Sequence, residues 1–251
     1  MEYLALVQAR LGSSRLPNKV LLELCGKPIL QHVIERVSRS RFVNETAVVT
    51  SVSRENLAVV SFCANLGVRV FSGSENDVLD RFYQFAKLVK PQYIVRVTAD
   101  CPCYDWNLLD MAIESMDECD YCYDATESLP DGLDIEILSF SALERSWTEA
   151  KMQSEREHVT LFIRNHPELF SIKSFECPTP GISHHRWTVD EPEDYELVKT
   201  VFEHFDGLGK YDFTYHDILG FLESRPDVVK LNTAFSRNEG LAKSLANDME
   251  V

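Results

Sequence analysis

The stretch YLALVQARLGSSRLPNK, residues 3–19, decides the fold prediction, because a short apolar run passes directly into a loop of small and basic residues. Residues 3–7 are typical of a buried strand. In parallel α/β sheets, ligands bind beyond the carboxyl ends of the strands. The sequence therefore predicts a ligand site in the loop that follows this first strand.

The loop after the first strand has the composition of a phosphate-binding loop. Its residues share one role, binding phosphate oxygens by backbone amides or by charge: Gly12, Ser13, Ser14, Arg10, Arg15 and Lys19. The glycine spacing fits neither the dinucleotide fingerprint nor the Walker pattern. A solvated loop without a ligand is the alternative, and three cations around Gly-Ser-Ser directly after a strand disfavour it.

Strands and helices alternate along the chain, which indicates a mostly parallel sheet with helices on both faces. Further strands are predicted at 46–51, 68–71, 93–98, 133–138 and 172–175. Helices are predicted at 28–38, 55–65, 78–89, 141–150, 157–165 and 192–205. The polar tail after Asn232 is predicted to pack loosely. Residues 1–251 are treated as a single α/β domain, because no linker or repeat divides them.

Charge and composition exclude several classes of protein. The net charge of −15 argues against nucleic acid as a partner, whereas residues 1–41 carry a net charge of +4, which suggests a confined anion site. No apolar run approaches the roughly 18 residues of a membrane span, and no signal peptide is evident, so we expect a cytoplasmic protein. The seven cysteines have no framework spacing and are expected to be reduced. Buried thiols are favoured over a zinc site at Cys101, Cys103, Cys119 and Cys122.

Two carboxylates are candidate magnesium ligands. Asp100 follows the fourth strand in RVTADCP and therefore lies at the same sheet edge as the phosphate loop, although Asp before Pro is also an ordinary turn. Asp190 precedes a helix in RWTVDEPED, where a metal ligand and a helix cap at Asp190 or Glu191 are equally compatible with the pattern. If both bind Mg²⁺, they should lie close together and repel each other without it.

Six motifs of the chain resemble those of a known family. QARLGSSRLPNK, RVTADCP and RWTVDEPED, in that order, are similar to motifs of the cytidylyltransferases that activate acidic sugars. PDGLDIEILS (130–139), SEREHVT (154–160) and RNEGLAKSL (237–245) resemble the spore-coat polysaccharide branch, which is akin to CMP-Kdo and CMP-sialic acid synthetases. One departure is visible, because those CMP-Kdo enzymes have Gly before the aspartate and an acidic residue before the proline, where this chain has Ala99 and Cys101.

The resemblance implies a magnesium-dependent transfer of CMP from CTP to a sugar, with release of pyrophosphate, in a homodimer with a nucleotide-diphospho-sugar transferase-like, Rossmann-like fold. Residues 1–125 would form the nucleotide-binding half. Residues 126–251 would form the sugar-binding and C-terminal half, which includes an inserted region on the substrate side or for dimerisation.

The resemblance also assigns site residues. Arg10, Lys19, Asp100 and Asp190 would be catalytic, with Asp100 and Asp190 on Mg²⁺. The nucleotide would be bound by the phosphate loop, by the loop at 72–77 and by the helix after it, through Ala9, Arg10, Gly12, Ser13, Ser14, Arg15, Lys19, Ser72, Gly73, Asp77, Arg81 and Asp100. The candidates on the sugar side are Asp131, Asp134, Glu136, Arg156, His158 and Arg186.

On the sugar side, other interpretations of the residues remain open. Asp134 and Glu136 are two residues apart and share a strand face, whereas Asp131 lies in a Pro-Asp-Gly segment that is compatible with a simple turn. Ser154 and Glu157 fit a capping box.

Three functions compete with CMP transfer to a free sugar. One is nucleotidyl transfer to a sugar 1-phosphate. The second is a glycosyltransferase with a similar nucleotide-binding half, although the Asp-x-Asp motif typical of that class is absent after the fourth strand. The third is a non-catalytic nucleotide-sensing or scaffold protein, which would be expected to lose Lys19 or an acidic ligand.

Overall fold

A computed structural model describes residues 2–251. Its main sheet has the strand order β5-β4-β1-β6-β8-β7-β9, and β2 and β3 form a separate short hairpin. The strands are β1 (Tyr3–Gln8), β2 (Glu23–Leu24), β3 (Lys27–Pro28), β4 (Val43–Ser51), β5 (Val70–Gly73), β6 (Tyr93–Thr98), β7 (Tyr121–Tyr123), β8 (Glu136–Ser139) and β9 (Ile172–Ser174).

Helices connect and cover the strands. They are α1 (Ile29–Val37), α2 (Leu57–Leu66), α3 (Val78–Val89), α4 (Trp106–Ser115), α5 (Phe140–Glu149), α6 (Gln153–Glu157), α7 (Leu161–Asn165), α8 (Pro192–Gly207), α9 (Tyr215–Glu223), α10 (Pro226–Val229) and α11 (Glu239–Ala246). Among the described residues, no helix is both long and apolar enough to cross a membrane.

The central strand β1 is buried on both faces, as its continuous apolar run predicts. Tyr3, Ala5 and Val7 pack into one hydrophobic core, and Leu4 and Leu6 pack into the other. Because alternate side chains point to opposite faces, both faces of the sheet need a helical layer. The prediction of a mostly parallel sheet with helices on both faces is confirmed.

Strand β8 departs from the parallel arrangement. It pairs antiparallel with β6 on one side and with β7 on the other. The residues just before β8 therefore lie at the sheet edge where β1 and β6 end. Gly132 lies in this approach with φ +102°, and a Cβ there would lie 2.5 Å from the Thr188 nitrogen, so only glycine fits.

Several predicted elements differ from the structure. The helix predicted at 157–165 is wrong, because α6 ends at Glu157 and α7 begins at Leu161, with Val159 between them at a positive φ. The strand predicted from residue 133 begins at Glu136, because residues 131–132 contact the backbone around Trp187 instead. The tail predicted to pack loosely forms α11 and is hydrogen-bonded to the body of the domain, and the prediction is confirmed only in that α11 has no buried residue.

Candidate active site

The ends of β1 and β6 place the two predicted motifs side by side. The strands are parallel neighbours, with Gln8 opposite Thr98. The Ala99 amide donates a hydrogen bond of 3.0 Å to the carbonyl oxygen of Gln8. The phosphate loop and Asp100 therefore leave the same edge of the sheet together, as the sequence predicts.

Lys19 is the centre of the site. It begins a short 3₁₀ turn, Lys19–Leu21, directly after Asn18, which has a left-handed backbone. Its Nζ donates hydrogen bonds of 2.6 Å to Asp100 Oδ2 and of 2.6 Å to Asp190 Oδ1. The two candidate magnesium ligands are thus within twice that distance of each other, although they are far apart in the sequence. The expectation that they lie close together is confirmed.

The expectation of uncompensated repulsion between the two carboxylates is wrong, because the Lys19 ammonium lies between them. Burial raises the pKa of Asp100, but the charge and hydrogen bond of Lys19 outweigh it and lower that pKa to about 2. Burial lowers the pKa of Lys19, and attraction to both carboxylates raises it above its ordinary value. Lys19 and Asp100 are therefore both charged at neutral pH.

Asp190 also pairs with arginines from two other segments. Arg15 Nη2 lies 3.0 Å from Asp190 Oδ1, and Arg186 Nη2 lies 3.2 Å from Asp190 Oδ2. The amides of Asp190 and Glu191 both donate to Asp194 Oδ2 at 3.0 Å. The carboxylate at the third helical position therefore accepts from the amides at the start of α8. The Asp190 carboxylate faces cations in the site, which disfavours the capping interpretation of Asp190.

The phosphate-loop residues line one cavity of about 260 Å³. Its walls come from both strand ends and from the segment before α8: Gln8, Arg10, Gly12, Ser13, Ser14, Arg15, Lys19, Val20, Thr98, Ala99, Asp100 and Asp190. A cavity lined by three cations and by the Gly12-Ser13-Ser14 segment suits a polyanion.

The predicted nucleotide-binding residues beyond this cavity divide into two groups. Ala9 and Arg81 line a neighbouring cavity of about 170 Å³, and Arg10 lines both this cavity and that of the phosphate loop. Gly73 lies outside that lining but allows Arg81 to pack, since a Cβ at Gly73 would lie 2.7 Å from Arg81 Cγ. Asp77 caps α3 by accepting from the Asp80 amide at 2.7 Å, and Ser72 is exposed on β5.

Four of the predicted sugar-side residues come together. Asp131, Asp134, His158 and Arg186 line a cavity of about 250 Å³ that also includes Asp100 and Asp190. Arg186 reaches this cavity because Asp194 binds its guanidinium at 2.9 and 3.0 Å. Arg186 Nη1 also lies 2.5 Å from Asp131 Oδ2.

The other two sugar-side candidates have protein partners. Glu136 is 8% exposed and accepts hydrogen bonds from Arg96, Tyr121 and Thr160. Arg156 is apart from the others and binds Asp77 Oδ2 at 2.5 and 2.8 Å, next to the loop predicted to lie near the base.

The capping box predicted for Ser154 and Glu157 is wrong. Ser154 Oγ donates to Asp248 Oδ2 at 2.6 Å, and Glu157 Oε2 accepts from Ser244 Oγ at 2.9 Å. Both polar side chains are thus used by the C-terminal segment rather than by the start of a helix. The capping pattern is local, whereas these partners are about 90 residues away in the sequence.

Several residues make contacts at the site that the sequence pattern does not predict, including Glu191, for which the predicted capping of α8 is confirmed. Glu191 accepts from Arg15 Nη1 at 2.8 Å, and Glu239 lies 3.8 Å from the same atom. Asp194 supports Arg186, and the Glu-Pro-Glu-Asp segment at the start of α8 contains the signal for it, an acidic residue three positions after a helix cap. Asn238 and Glu239 of the motif RNEGLAKSL line the cavity on the sugar side. Only the fold shows that this motif lies next to Arg15.

Comparison with known proteins places this site in a family. The family model described as cytidylyltransferase matches residues 4–215. The chain is 34% identical over 232 residues to the spore coat polysaccharide biosynthesis protein SpsF of Bacillus subtilis, covering 90% of this chain and 96% of that protein. It is 35% identical over 118 residues to a 3-deoxy-manno-octulosonate cytidylyltransferase of Geobacter sulfurreducens, covering 47% of this chain and 46% of that protein.

A solved structure agrees over almost the whole length. A cytidylyltransferase from Leptospira borgpetersenii serovar Hardjo-bovis superposes with a TM-score of 0.85 at 29% identity, covering 94% of this chain and 100% of that one. The similarity thus extends beyond the sheet into the C-terminal part of the domain.

Proposed function

This chain belongs to the cytidylyltransferase family, and we propose that it transfers CMP from CTP to an acidic sugar with release of pyrophosphate. The observation that carries the proposal is the convergence of Lys19, Asp100 and Asp190 on the cavity formed by the phosphate loop. The similarity to the 3-deoxy-manno-octulosonate cytidylyltransferase of Geobacter sulfurreducens supports CTP and an acidic sugar as substrates.

Magnesium is part of the proposal. Within residues 2–251, no group of three or more His, Cys, Asp or Glu side chains could hold a metal ion. In the phosphate cavity, the available protein ligands are the two carboxylates of Asp100 and Asp190. Mg²⁺ suits such a site, since it is often bound by one or two carboxylates together with substrate phosphates and water. One oxygen of Asp100 and one oxygen of Asp190 both contact the Lys19 ammonium, so the two carboxylates are close enough to bind one cation together. When bound, the ion would neutralise charge on the phosphates of the nucleotide.

The residues of the chain would act mainly by position and charge. The sugar hydroxyl oxygen attacks the α-phosphorus and its proton passes to water, while the bond from that phosphorus to the oxygen bridging the β-phosphate breaks and pyrophosphate leaves. Arg10, Arg15 and Lys19 would stabilise the charge that develops on the departing pyrophosphate. Asp131, Asp134, His158 and Arg186 would position the sugar on the opposite side of Asp100.

The base and the acceptor can be tested separately. With magnesium present, CTP should raise the melting temperature more than equal concentrations of ATP, GTP or UTP, because a ligand that binds only the native state stabilises it. Pyrophosphate release should then be measured with CTP and a panel of acidic sugars and sugar 1-phosphates. Stronger stabilisation by UTP or GTP would contradict CMP transfer, and turnover of sugar 1-phosphates alone would replace the acidic sugar with the competing acceptor.

A further inference from the structure

The C-terminal segment 236–251, called the strap below, is attached to the domain by polar contacts. Its helix α11 has no buried residue. The end of the strap is fixed to the start of α6, where Ser154 donates to Asp248 and the Gln153 amide donates to the Met249 oxygen at 2.8 Å. A helix that buries no residue gains little stability from packing, and the contacts that hold its segment are partly buried hydrogen bonds, so the strap belongs to the part of the fold that opens locally.

The start of the strap lies across the acceptor side of the site. Arg237 Nη1 donates to the Leu129 oxygen at 2.9 Å, and the same guanidinium pairs with Asp134. Asn238 and Gly240 help to line the cavity that contains Asp100 and Asp190. Ser244, one turn further on, contacts His158 Nε2 at 3.0 Å. The strap therefore crosses from the approach to β8 to α6 and covers the sugar-side residues.

Two cavities on the acceptor side share Asp134 and His158: one of about 200 Å³ is lined by Arg96 and Arg237, and the other, of about 250 Å³, by Arg186. Among these three arginines, Arg237 has the ion-pair partner that is easiest to replace. Arg96 pairs with Glu136, whose side chain is 11% exposed, and Arg186 pairs with Asp194, which is fully buried. The Asp134 carboxylate that pairs with Arg237 is 50% exposed. Water already solvates the Asp134 carboxylate. Moving Arg237 from Asp134 to an anionic ligand therefore costs less free energy than breaking either of the other two ion pairs.

We propose that the strap closes over the acceptor and that its Arg237 binds the negatively charged group of the acceptor, a carboxylate or a phosphate. This inference rests on the proposed nucleotidyl transfer and adds to it a binding residue from outside the matched family region 4–215. The acceptor enters when the strap opens, and reclosure brings the Arg237 guanidinium onto the acceptor's anion. Glu239 on the same strap lies near Arg15, so closure also affects the phosphate loop.

The test compares Arg237→Gln with Lys243→Gln, an exposed residue of the same strap. Pyrophosphate release is measured with saturating CTP while the acceptor concentration is varied, using 3-deoxy-manno-octulosonate as the carboxylate probe and glucose 1-phosphate as the phosphate probe. The KM for the acceptor should rise roughly tenfold or more in Arg237→Gln, the scale of one lost charged hydrogen bond. The KM for CTP should change by less than about twofold, since Arg237 contacts no phosphate-loop residue. Lys243→Gln should behave as wild type.

Hydrogen exchange provides a readout that needs no acceptor. In the free protein, amides of α11 should exchange much faster than those of α8, which has six buried residues, and CTP with the accepted probe should slow them. Amide exchange in α11 as slow as in α8 would overturn the proposed opening of the strap. An unchanged acceptor KM in Arg237→Gln, or a protein that binds CTP but uses neither probe, would overturn the role of Arg237. Absence of CTP binding would instead refute the proposed function itself.

Discussion

Two clusters of buried charge lie at the same edge of the sheet, and they differ in what their charges can still bind. The Lys19 cluster consists of Arg15, Lys19, Arg186, Asp100 and Asp190, and it borders the cavity of the phosphate loop. The Glu136 cluster consists of Arg96, Tyr121, Glu136 and Thr160, in which one carboxylate accepts from three side chains.

The two clusters differ in how their charged groups are paired. In the Lys19 cluster, three cations share two carboxylates that are each 23% exposed, so a phosphate can replace a protein partner without leaving a buried charge unpaired. In the Glu136 cluster, loss of the carboxylate leaves Arg96, Tyr121 and Thr160 without their acceptor. If the Lys19 cluster binds the nucleotide as proposed, ion pairs of similar geometry serve ligand binding in one cluster and stability in the other.

The largest expected effect is on activity in the Lys19 cluster. Asp100→Asn or Asp190→Asn should lower kcat/KM roughly a thousandfold or more, because charge stabilisation by a bound metal contributes several kcal/mol to the transition state. The melting temperature without ligand should fall only slightly, because Lys19 keeps one of its two carboxylate partners. Steady-state kinetics and thermal unfolding test this, with Asp227→Asn on the exposed surface as control. A variant of Asp190 that melts early but turns over normally would make that residue structural.

The second effect is on stability in the Glu136 cluster. Burial raises the pKa of Glu136, but Arg96, Arg164 and the hydrogen bonds outweigh it and lower that pKa from 4.5 to about 2. Glu136→Gln should therefore lower the free energy of unfolding at pH 7 by about 3 kcal/mol. Because the pKa is lower in the folded state, this stabilisation is present above about pH 4.5 and is lost as the pH falls towards 2.

Urea unfolding of Glu136→Gln and wild type between pH 7 and pH 3 measures that difference. The two curves should approach each other at the acidic end. The kcat/KM of the folded variant should stay within a few-fold of wild type. Unchanged stability with activity reduced by more than about a hundredfold would place Glu136 on the substrate instead and remove the contrast between the clusters.

A smaller effect is expected at Lys19. Lys19→Ala should reduce kcat/KM for the nucleotide roughly tenfold or more, the scale of a lost charged hydrogen bond. Lys27→Ala is the matched control, because Lys27 is an exposed lysine paired with Glu35 near the same loop. Unchanged kinetics in Lys19→Ala would remove the phosphate loop from the mechanism, whereas the same loss in Lys27→Ala would indicate a general effect of charge.

The smallest effect is expected at Asp131. What distinguishes it from the effect at Glu136 is the direction in which stability changes with pH. Burial and the nearby Asp134 raise the pKa of Asp131 from 3.8 to about 6, in spite of Arg186. A carboxyl group with a raised folded-state pKa stabilises the fold more as the pH falls from about 6 to about 4, which is the opposite direction from Glu136.

At pH 7.5, Asp131→Asn should therefore lie within about 1 kcal/mol of wild type, because relief of the buried charge offsets the lost ion pair with Arg186. Wild type should gain stability relative to this variant between pH 6 and pH 4. Chemical unfolding at three pH values measures this change. A difference that shrinks over that range would show that the ion pair with Arg186 dominates.

Much of the nucleotide side was predictable because its signals are local. An apolar strand followed by Gly12 and three cations predicts a phosphate loop without knowledge of the fold. Asp100 was predictable for a related reason, since the ends of parallel strands meet at one edge. Helix α3 has the predicted bounds, Val78–Val89, because its apolar spacing is regular.

The acceptor side was less predictable. Asp134 and Glu136 share a pattern in the sequence, but Asp134 is half exposed in a cavity while Glu136 is buried with three partners. The alternation of apolar residues identifies the strand region but not its direction in the sheet. The antiparallel direction of β8 is what brings its first residues to the active-site edge.

The sequence by itself determined the family and the mostly parallel sheet and predicted a phosphate loop, because periodicity, turn residues and short motifs act over a few positions. Only the tertiary structure decided which charges meet. Lys19 and Asp190 are 171 residues apart, and Arg237 reaches Asp134 across 103 residues. Such pairs depend on the strand order and on the path of the C-terminal segment, which result from the burial of both faces of the sheet rather than from any local pattern.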